Sequence, residues 1–277
     1  MFGNTDSKEK TLSFWEHLEV LRWVIFRILI AITLFVVVIF SSKDFVFNEI
    51  VFAPINSDFW LYSSLCSLGE ALKFPDLCPE SFNIHLINIS LAGQFLAHLG
   101  ASFSLALIMI VPYILFEIWH FVKPALYPNE KTHVGYVFLS SSILFYLGVA
   151  LSYFVIFPLT VRFLGTYEVS SLVPNQISVQ SYLGALYVLT FSLGIMFEMP
   201  VLAYLLSKIG LINKQMLKKV RSFAFVILLI LSALITPTTD PFTMMVVALP
   251  LYLLYELSIL VSKKKKEEVV EEDEDEE

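Results

Sequence analysis

The stretch SYLGALYVLTFSLGIMFEMPVLAYLLS, residues 181–207, contains no lysine, arginine or aspartate and only one glutamate. Such an apolar run can cross the hydrocarbon core of a bilayer, which needs about 20 residues of helix. Only 16% of the 277 residues are charged, against about 25% in soluble domains. Five further apolar runs have flanks typical of membrane helices: 23–40, 94–119, 133–157, 223–235 and 242–261. The sequence therefore predicts an all-α integral membrane protein.

The run at 223–235 is short, and only TPTTDP (236–241) separates it from the last run. A re-entrant hairpin and a pair of short spans both fit, and the different charge of the flanking loops favours two spans. The basic residues lie mostly on the side that holds both termini, and the exceptions among all 18 are Lys43, Lys73 and Arg162. By the positive-inside rule both termini are cytoplasmic, which requires an even number of spans. We therefore expect six transmembrane helices, the last two short, within residues 1–262.

Three segments lie outside these spans. Residues 41–93 and 158–180 form two external loops, and the first contains the only cysteines, Cys66 and Cys78. In an oxidising compartment these two can form a disulfide, which would stabilise the loop by about 3 kcal/mol. Two free thiols in a loosely packed segment are the alternative. Residues 263–277 change from lysines to acids, and we expect a disordered cytoplasmic tail without a specific partner.

The sequence offers little for enzyme chemistry. The five histidines are scattered and do not form a zinc-binding motif, and a Walker A loop is absent. We therefore expect no catalytic residue, metal or cofactor.

One carboxylate, Glu198, lies deep in the apolar run at 181–207. An ionised group at the middle of a bilayer costs about 2.5–3.5 kcal/mol, so it needs a partner, water or a proton. Pro200 adds local polarity because it leaves a backbone carbonyl free near position 196. A partner or substrate contact is the functional interpretation of Glu198, and a protonated side chain bonded to a neighbouring helix is the structural one.

A second carboxylate, Glu130, lies in the loop FVKPALYPNEK, residues 121–131. Two prolines fix backbone angles there, and Phe121 and Tyr127 can anchor the loop at the level of the lipid headgroups. A carboxylate on such a preorganised base suits bidentate binding of a guanidinium. The alternative is an ordinary surface ion pair with Lys131.

The segment FWEHLEVLR, residues 14–22, adds Glu16, Glu19 and Arg22 on the same cytoplasmic side. Residues three apart on a helix share a face, so Glu19 and Arg22 are expected to be neighbours. Two acidic clusters on one face of the membrane indicate a basic ligand.

Six segments together resemble the TatC family, the multispanning receptor subunit of the twin-arginine protein translocase. They are HLEVLR (17–22), FAP (52–54), FEIWHFVKPALYPNEK (116–131), SSSILFYLGVALSYFVIFPL (140–159), FEMPV (197–201) and ITPTTDPF (235–242). The resemblance implies a receptor in a bacterial inner membrane that binds twin-arginine signal peptides of folded proteins. It further implies a homo-oligomeric complex with single-span subunits of the TatA and TatB type, in which the proton-motive force drives transport.

The resemblance also implies roles for individual residues. Glu130 matches the loop glutamate that contacts the twin arginines, Phe121 matches its supporting aromatic, and Glu198 matches the family's intramembrane glutamate. Three further positions match by motif: Pro54 and Asp240 in the outer loops and Glu117 at the end of the second helix. The expected signal-peptide-binding residues are Glu130, Phe121, Tyr127, Glu117, Glu16, Glu19 and Arg22.

The sequence departs from the family pattern at Val20, where the usual motif HLEELR has a second glutamate. Glu19 points about 100° away on a helix, so either Glu19 or Glu16 reaches the ligand or Glu130 carries more of the recognition. TPTTDP is also one residue longer than the usual form, which affects the match of Asp240.

Two other readings remain. In a proton-coupled small-solute transporter, Glu198 would be the carrier carboxylate, but such a protein has no need of the Glu130 loop. An intramembrane enzyme would need a nucleophile paired with a base, and the sequence indicates no such pair.

The resemblance makes the fifth and sixth helices the expected docking edge for a single-span partner, because short helices thin the bilayer beside them.

Overall fold

The structure is a computed structural model that describes residues 14–56, 58–73, 84–122, 134–168, 170, 172, 175–236 and 240–263. The regular secondary structure of these residues is helical apart from two paired two-residue strands. The helices are α1 (Phe14–Ser41), α2 (Lys43–Phe45), α3 (Trp60–Leu72), α4 (Gly93–Val122), α5 (Val134–Leu151), α6 (Phe157–Thr166), α7 (Val179–Met196), α8 (Met199–Lys208), α9 (Lys214–Lys219), α10 (Arg221–Ile235) and α11 (Pro241–Val261). The strands β1 (Leu86–Ile87) and β2 (Ile177–Ser178) are parallel.

The predicted apolar runs all form helices. In the described part of the chain, 5 helical segments are long and apolar enough to cross a membrane: Leu18–Ser41, Gly93–Phe121, Val137–Thr166, Val179–Lys208 and Pro241–Val261. The run at 223–235 forms the 15-residue α10, but the last helix, α11, has 21 residues, so the prediction that both of the last two helices are short was wrong for α11. A mostly helical membrane protein is thus confirmed, whereas six spans and cytoplasmic termini stay predictions.

The chain divides into two compact units. The first unit contains residues 1–43 and 98–142, and therefore α1, most of α4 and the start of α5. The second unit contains residues 44–97 and 143–277. The predicted tail beyond residue 263 lies outside the described residues.

The third apolar run does not end before Pro158, and that prediction was wrong. A π-helical turn, Ser152–Ile156, links α5 to α6, so the helical segment continues to Thr166. Pro158 has no N–H to donate to the carbonyl of Phe154, which would normally end the helix. The wider π turn changes the hydrogen-bond register ahead of the proline, and Pro158 then occupies the first turn of α6, where a missing N–H is tolerated.

The segment between α1 and α4 packs within the second unit. A π-helical turn (Val46–Val51) and a 3₁₀ turn (Ala53–Ile55) leave carbonyls without regular helical partners. Three tyrosine hydroxyls donate to them: Tyr153 to Ile50 at 2.6 Å, Tyr182 to Val51 at 2.7 Å and Tyr62 to Pro54 at 3.2 Å. Buried backbone carbonyls need such partners, so the tyrosines fix this irregular segment.

Close packing of α5 on α7 forms the centre of the second unit. A Cβ at Gly148 would lie 2.7 Å from the carbonyl oxygen of Leu193, and one at Gly194 would lie 2.7 Å from the ring of Phe145. Only glycine allows this approach, as small residues commonly do between membrane helices. The packing holds α7 just ahead of Glu198.

Candidate functional site

The N-terminal part of α1 carries Glu19 and Arg22 on one face, as expected. The guanidinium of Arg22 lies 3.8 Å from the carboxylate of Glu19, and their side chains are 60% and 66% exposed. An exposed contact of this length contributes little to stability. The carboxylate of Glu19 is therefore accessible to another cation.

A shallow groove of about 250 Å³ follows the same face of α1. Its lining residues are Leu18, Leu21, Arg22, Ile25, Phe26 and Leu29. Their spacing of three and four residues places them along one side of a helix. The lining is apolar except for Arg22, whose guanidinium contacts Glu19.

Two predicted runs are joined in the first unit by an ion pair that sequence reasoning missed. Arg27 of α1 donates from Nε to Oε1 of Glu117 at 2.9 Å and from Nη2 to Oε2 at 2.7 Å. The hydroxyl of Tyr113 donates to Oε1 of Glu117 at 2.9 Å. The side chain of Glu117 is 7% exposed and that of Arg27 is 46% exposed. A charged residue within each of two apolar runs was the signal that could have suggested this pairing, because isolated charges there are costly.

This geometry bears on the predicted role of Glu117 as a signal-peptide ligand. Both of its oxygens already accept hydrogen bonds from a bidentate guanidinium. An incoming arginine would only form the same two bonds and would leave Arg27 without its partner inside a span, which is unfavourable. Glu117 is thus engaged within the chain.

Several predicted residues lie at or beyond the limits of the described structure. Phe121 is half-buried in the last turn of α4. Tyr127 and Glu130 lie outside the described residues, as does the side chain of Glu16. Their proposed roles stay predictions.

Aromatic contacts join α4 and α5, the two helices that border the loop at 121–131. The ring of Phe116 on α4 meets the ring of Phe138 on α5 edge-on, with centroids 6.0 Å apart. Such pairs contribute about 0.5–1.5 kcal/mol beyond burial. Phe116 also stacks on His120 at 6.2 Å. The end of α4 and the start of α5 are therefore in direct contact.

Glu198 lies at a break in the fourth membrane segment. α7 ends at Met196, and the turn at Phe197 and Glu198 leads into α8. The amide of Glu198 donates to Ile195 at 3.0 Å, in a tighter turn than that of an α-helix. Pro200, in the first turn of α8, has no N–H for the carbonyl of Met196. The half-buried Glu198 is thus held at a fixed helix interruption.

The outer-loop positions have structural partners. Asp240 caps the N-terminus of α11, because its Oδ1 accepts from the amide of Thr243 at 2.8 Å and its Oδ2 from the Thr243 hydroxyl. Pro54 is buried and its carbonyl accepts from Tyr62. Cys66 on α3 is disulfide-bonded, but Cys78, the only other cysteine, lies outside the described residues, so the predicted pairing stays a prediction.

Metal ligands are not grouped in the described part of the chain, where no set of three His, Cys, Asp or Glu side chains could hold an ion. The polar side chains of that part carry carboxylates, hydroxyls, amides and basic groups. Such groups bind and orient a charged peptide through hydrogen bonds and ion pairs.

Comparison with known proteins identifies the family. The family model described as "Sec-independent protein translocase protein (TatC)" matches residues 16–250. TatC of Blattabacterium sp. subsp. Periplaneta americana is 34% identical over 92% of this chain and 97% of its own length. TatC of Aquifex aeolicus is 34% identical over 90% of this chain and 93% of its own length.

Solved structures agree with this assignment. A crystal structure of the twin arginine translocase receptor TatC in DDM superposes with a TM-score of 0.70 and 31% identity, covering 89% of this chain and 99% of that one. Another crystal structure of that receptor gives a TM-score of 0.65 and 29% identity over 88% of this chain and 97% of that one. The chain described here therefore belongs to the TatC family of protein translocase components.

Proposed function

We propose that this chain is the signal-peptide-binding subunit of a bacterial twin-arginine translocase. It crosses the inner membrane six times with both termini in the cytoplasm, and it binds twin-arginine signal peptides of folded proteins there. It assembles with copies of itself and with single-span subunits of the TatA and TatB type, and the proton-motive force drives export. Family membership and the likeness to crystal structures of the twin arginine translocase receptor support this proposal.

The order of chemical groups along α1 carries the proposal. An exposed carboxylate, Glu19, contacts Arg22 in the lining of a groove that is otherwise apolar. A signal peptide has the complementary order, a basic segment followed by an apolar one. The basic segment would meet Glu19 while the apolar segment follows the groove into the membrane.

Glu130 is the second carboxylate of the proposed site, supported by Phe121 and Tyr127. In this chain Val20 replaces the glutamate usual in the family motif. Glu19, whose contact with Arg22 is weak, is the best remaining source of negative charge on α1. Each acid would take one arginine of the signal.

The proposed docking edge for a single-span partner is formed by the fifth and sixth predicted spans, which are the shorter helix α10 and the longer α11. Of these, α10 has 15 residues and exposes a row of large apolar side chains. They are Phe223, Phe225, Val226, Ile227, Ile230 and Leu234. A short apolar helix thins the adjacent bilayer, which favours contact with another apolar helix over contact with lipid.

Binding of a fluorescent twin-arginine signal peptide to the purified protein tests the receptor role. Lysine keeps the charge of arginine but not its bidentate fork, so the twin-arginine peptide should bind about 1–3 kcal/mol more tightly than a twin-lysine peptide. The variants Glu130→Ala and Glu19→Ala should lose this preference. Glu70→Ala, which removes an exposed acid on α3, is the matched control and should retain it. Equal, salt-sensitive binding of both peptides to the unmodified protein would refute the proposal.

A further inference from the structure

Lysines from three separate segments of the second unit are gathered at one end of its apolar helices. α8 ends at Lys208, and α11 ends just before Lys263. The amide of Lys263 donates to the hydroxyl of Ser207 at 2.7 Å, and the amide of Lys214 donates to the carbonyl of Lys263 at 3.0 Å. These bonds place the ends of α8 and α11 beside the start of α9. The lysines of this cluster are Lys208, Lys214, Lys218, Lys219 and Lys263.

We propose that this lysine cluster binds the phosphate headgroups of anionic phospholipids. α8 and α11 end at the cluster and α10 begins beside it, at Arg221, so it lies where three apolar helices leave the hydrocarbon core. The sequence predicts this side of the membrane to be cytoplasmic. Basic side chains just outside the core attract anionic headgroups there. Such binding involves the second unit alone and does not depend on the receptor function proposed above.

The acid that accompanies the cluster, Glu256, is already paired with an arginine. Residues 199–239 contain no aspartate or glutamate, and Glu256 is the only one in 241–263. Arg221 donates from Nε to Oε1 of Glu256 at 2.6 Å and from Nη2 to Oε2. Within the described part of the chain, none of the five lysines lies within ion-pair distance of a carboxylate. Their positive charge is therefore available to an anionic ligand.

Hydrogen bonds hold the lysine-bearing segment between α8 and α10 in place. Gly210 has a φ of +82°, the left-handed conformation that glycine favours, so the chain turns directly after α8. The side chain of Asn213 caps α9 by accepting from the amide of Met216 at 2.8 Å. The hydroxyl of Tyr255 on α11 donates to the carbonyl of Leu217 at 2.7 Å. α9 is thereby fixed against α11, and the lysine cluster is preorganised for binding.

Exposed apolar side chains between the lysines favour a lipid surface over a soluble acidic partner. Ile209, Leu211 and Met216 are 55%, 66% and 49% exposed. A segment that mixes lysines with large apolar side chains at the edge of a membrane places the apolar groups among the acyl chains and the charges among the phosphates. A soluble partner would have to cover the apolar side chains as well as neutralise the lysines. An anionic phospholipid satisfies both requirements.

Retention of added lipid by the detergent-purified full-length protein, titrated and measured by native mass spectrometry, tests this proposal. Phosphatidylglycerol should bind more tightly than phosphatidylcholine with the same acyl chains, and equal retention of the two would refute the proposal. Each lysine should strengthen binding about fivefold, so Lys214→Gln with Lys218→Gln should weaken the binding of phosphatidylglycerol about 25-fold. Lys214→Arg with Lys218→Arg keeps the charge and should bind within about twofold of the unmodified protein.

Two exposed lysines outside the cluster provide the matched control. Lys43→Gln with Lys73→Gln removes the same amount of charge and should leave the binding of phosphatidylglycerol within about twofold of its original affinity. An equal loss in the two glutamine double variants would mean that net charge, and not the lysine cluster, determines lipid binding. That result would overturn the proposal.

Removal of Glu256 should strengthen lipid binding, a change that general damage to the protein cannot produce. Lys218 lies within electrostatic range of this carboxylate, and Arg221 binds it directly. Glu256→Gln removes the opposing charge and leaves the guanidinium available to a phosphate, so phosphatidylglycerol should bind about fivefold more tightly. An unchanged or lower affinity in Glu256→Gln would contradict the proposed binding surface.

Discussion

Substitution of Gly148 by alanine provides a quantitative test of the packing ahead of Glu198. The new Cβ would lie 2.7 Å from the carbonyl oxygen of Leu193 and 2.8 Å from the ring of Phe197. The carbonyl belongs to the backbone of α7 and cannot rotate away. α5 and α7 must therefore separate locally, and the turn that carries Glu198 must move with Phe197.

Two opposing contributions set the size of the effect. Overpacking in a close-packed core costs about 1–3 kcal/mol, and replacing glycine by alanine within a helix returns about 0.5–1 kcal/mol. Gly148→Ala should therefore be destabilising by about 1–2 kcal/mol. Gly184→Ala on α7 gains the same helical contribution without a clash, because a Cβ there meets no described atom within 4 Å. Gly194→Ala should fall between them, because its close neighbour is the side chain of Phe145, which can shift.

The midpoint of thermal unfolding in detergent, measured by the loss of monodisperse protein after heating, ranks these variants. We expect Gly184→Ala to equal or exceed the unmodified protein, followed by Gly194→Ala and then Gly148→Ala. A Gly148→Ala variant as stable as Gly184→Ala would refute the reasoning, because it would mean that the two helices are not in close contact.

Two further predictions concern Tyr62, which donates to the segment between α1 and α4, and the proposed docking edge for a single-span partner. Tyr62→Phe removes the donor to the carbonyls of Pro54 and Pro158 and should cost about 1–3 kcal/mol. Burial raises the pKa of Tyr62, so the stability that its hydroxyl contributes is complete below about pH 10 and is lost as the pH rises further. An unfolding midpoint that falls as steeply above about pH 10 in Tyr62→Phe as in the unmodified protein would contradict this. A photo-crosslinker at Ile230 on α10 should capture a single-span subunit in the resting complex, whereas one at Leu34 on α1, equally apolar and exposed, should not; the reverse result would remove α10 as the docking edge.

The membrane helices were predictable from the sequence, because a helix that crosses the hydrocarbon core needs a long uninterrupted apolar run. The predicted run 242–261 corresponds to the helix Pro241–Val261, and the predicted run 94–119 corresponds to the helix Gly93–Val122. The error at Pro158 has a local cause: a proline usually ends a helix, but a π turn ahead of it can absorb the missing hydrogen bond. Whether this occurs depends on packing, including the hydroxyl of Tyr62 on the Pro158 carbonyl, which a pattern of apolar residues does not contain.

The site was predictable only where its residues are close in sequence. Glu19 and Arg22 are three residues apart on one helix, so their contact followed from helical geometry alone. Arg27 and Glu117 are 90 positions apart, and the sequence gives no distance between the two runs that contain them. Arg27 was therefore assigned to the basic cytoplasmic side and Glu117 to the ligand, although each is the partner of the other.

Two carboxylates of the first unit, Glu19 and Glu117, differ in what their surroundings leave available to a ligand. Glu19 is largely exposed and touches Arg22 at a distance where little is gained, so an incoming guanidinium can bind it without displacing a strong contact. Glu117 is buried, and its two oxygens receive three hydrogen bonds from within the chain, so a new ligand would have to break bonds equivalent to those it forms. A family motif cannot distinguish these cases, because both positions have the same residue type. The partner geometry can: it leaves the exposed Glu19 accessible to a cation and holds the buried Glu117 against Arg27 and Tyr113.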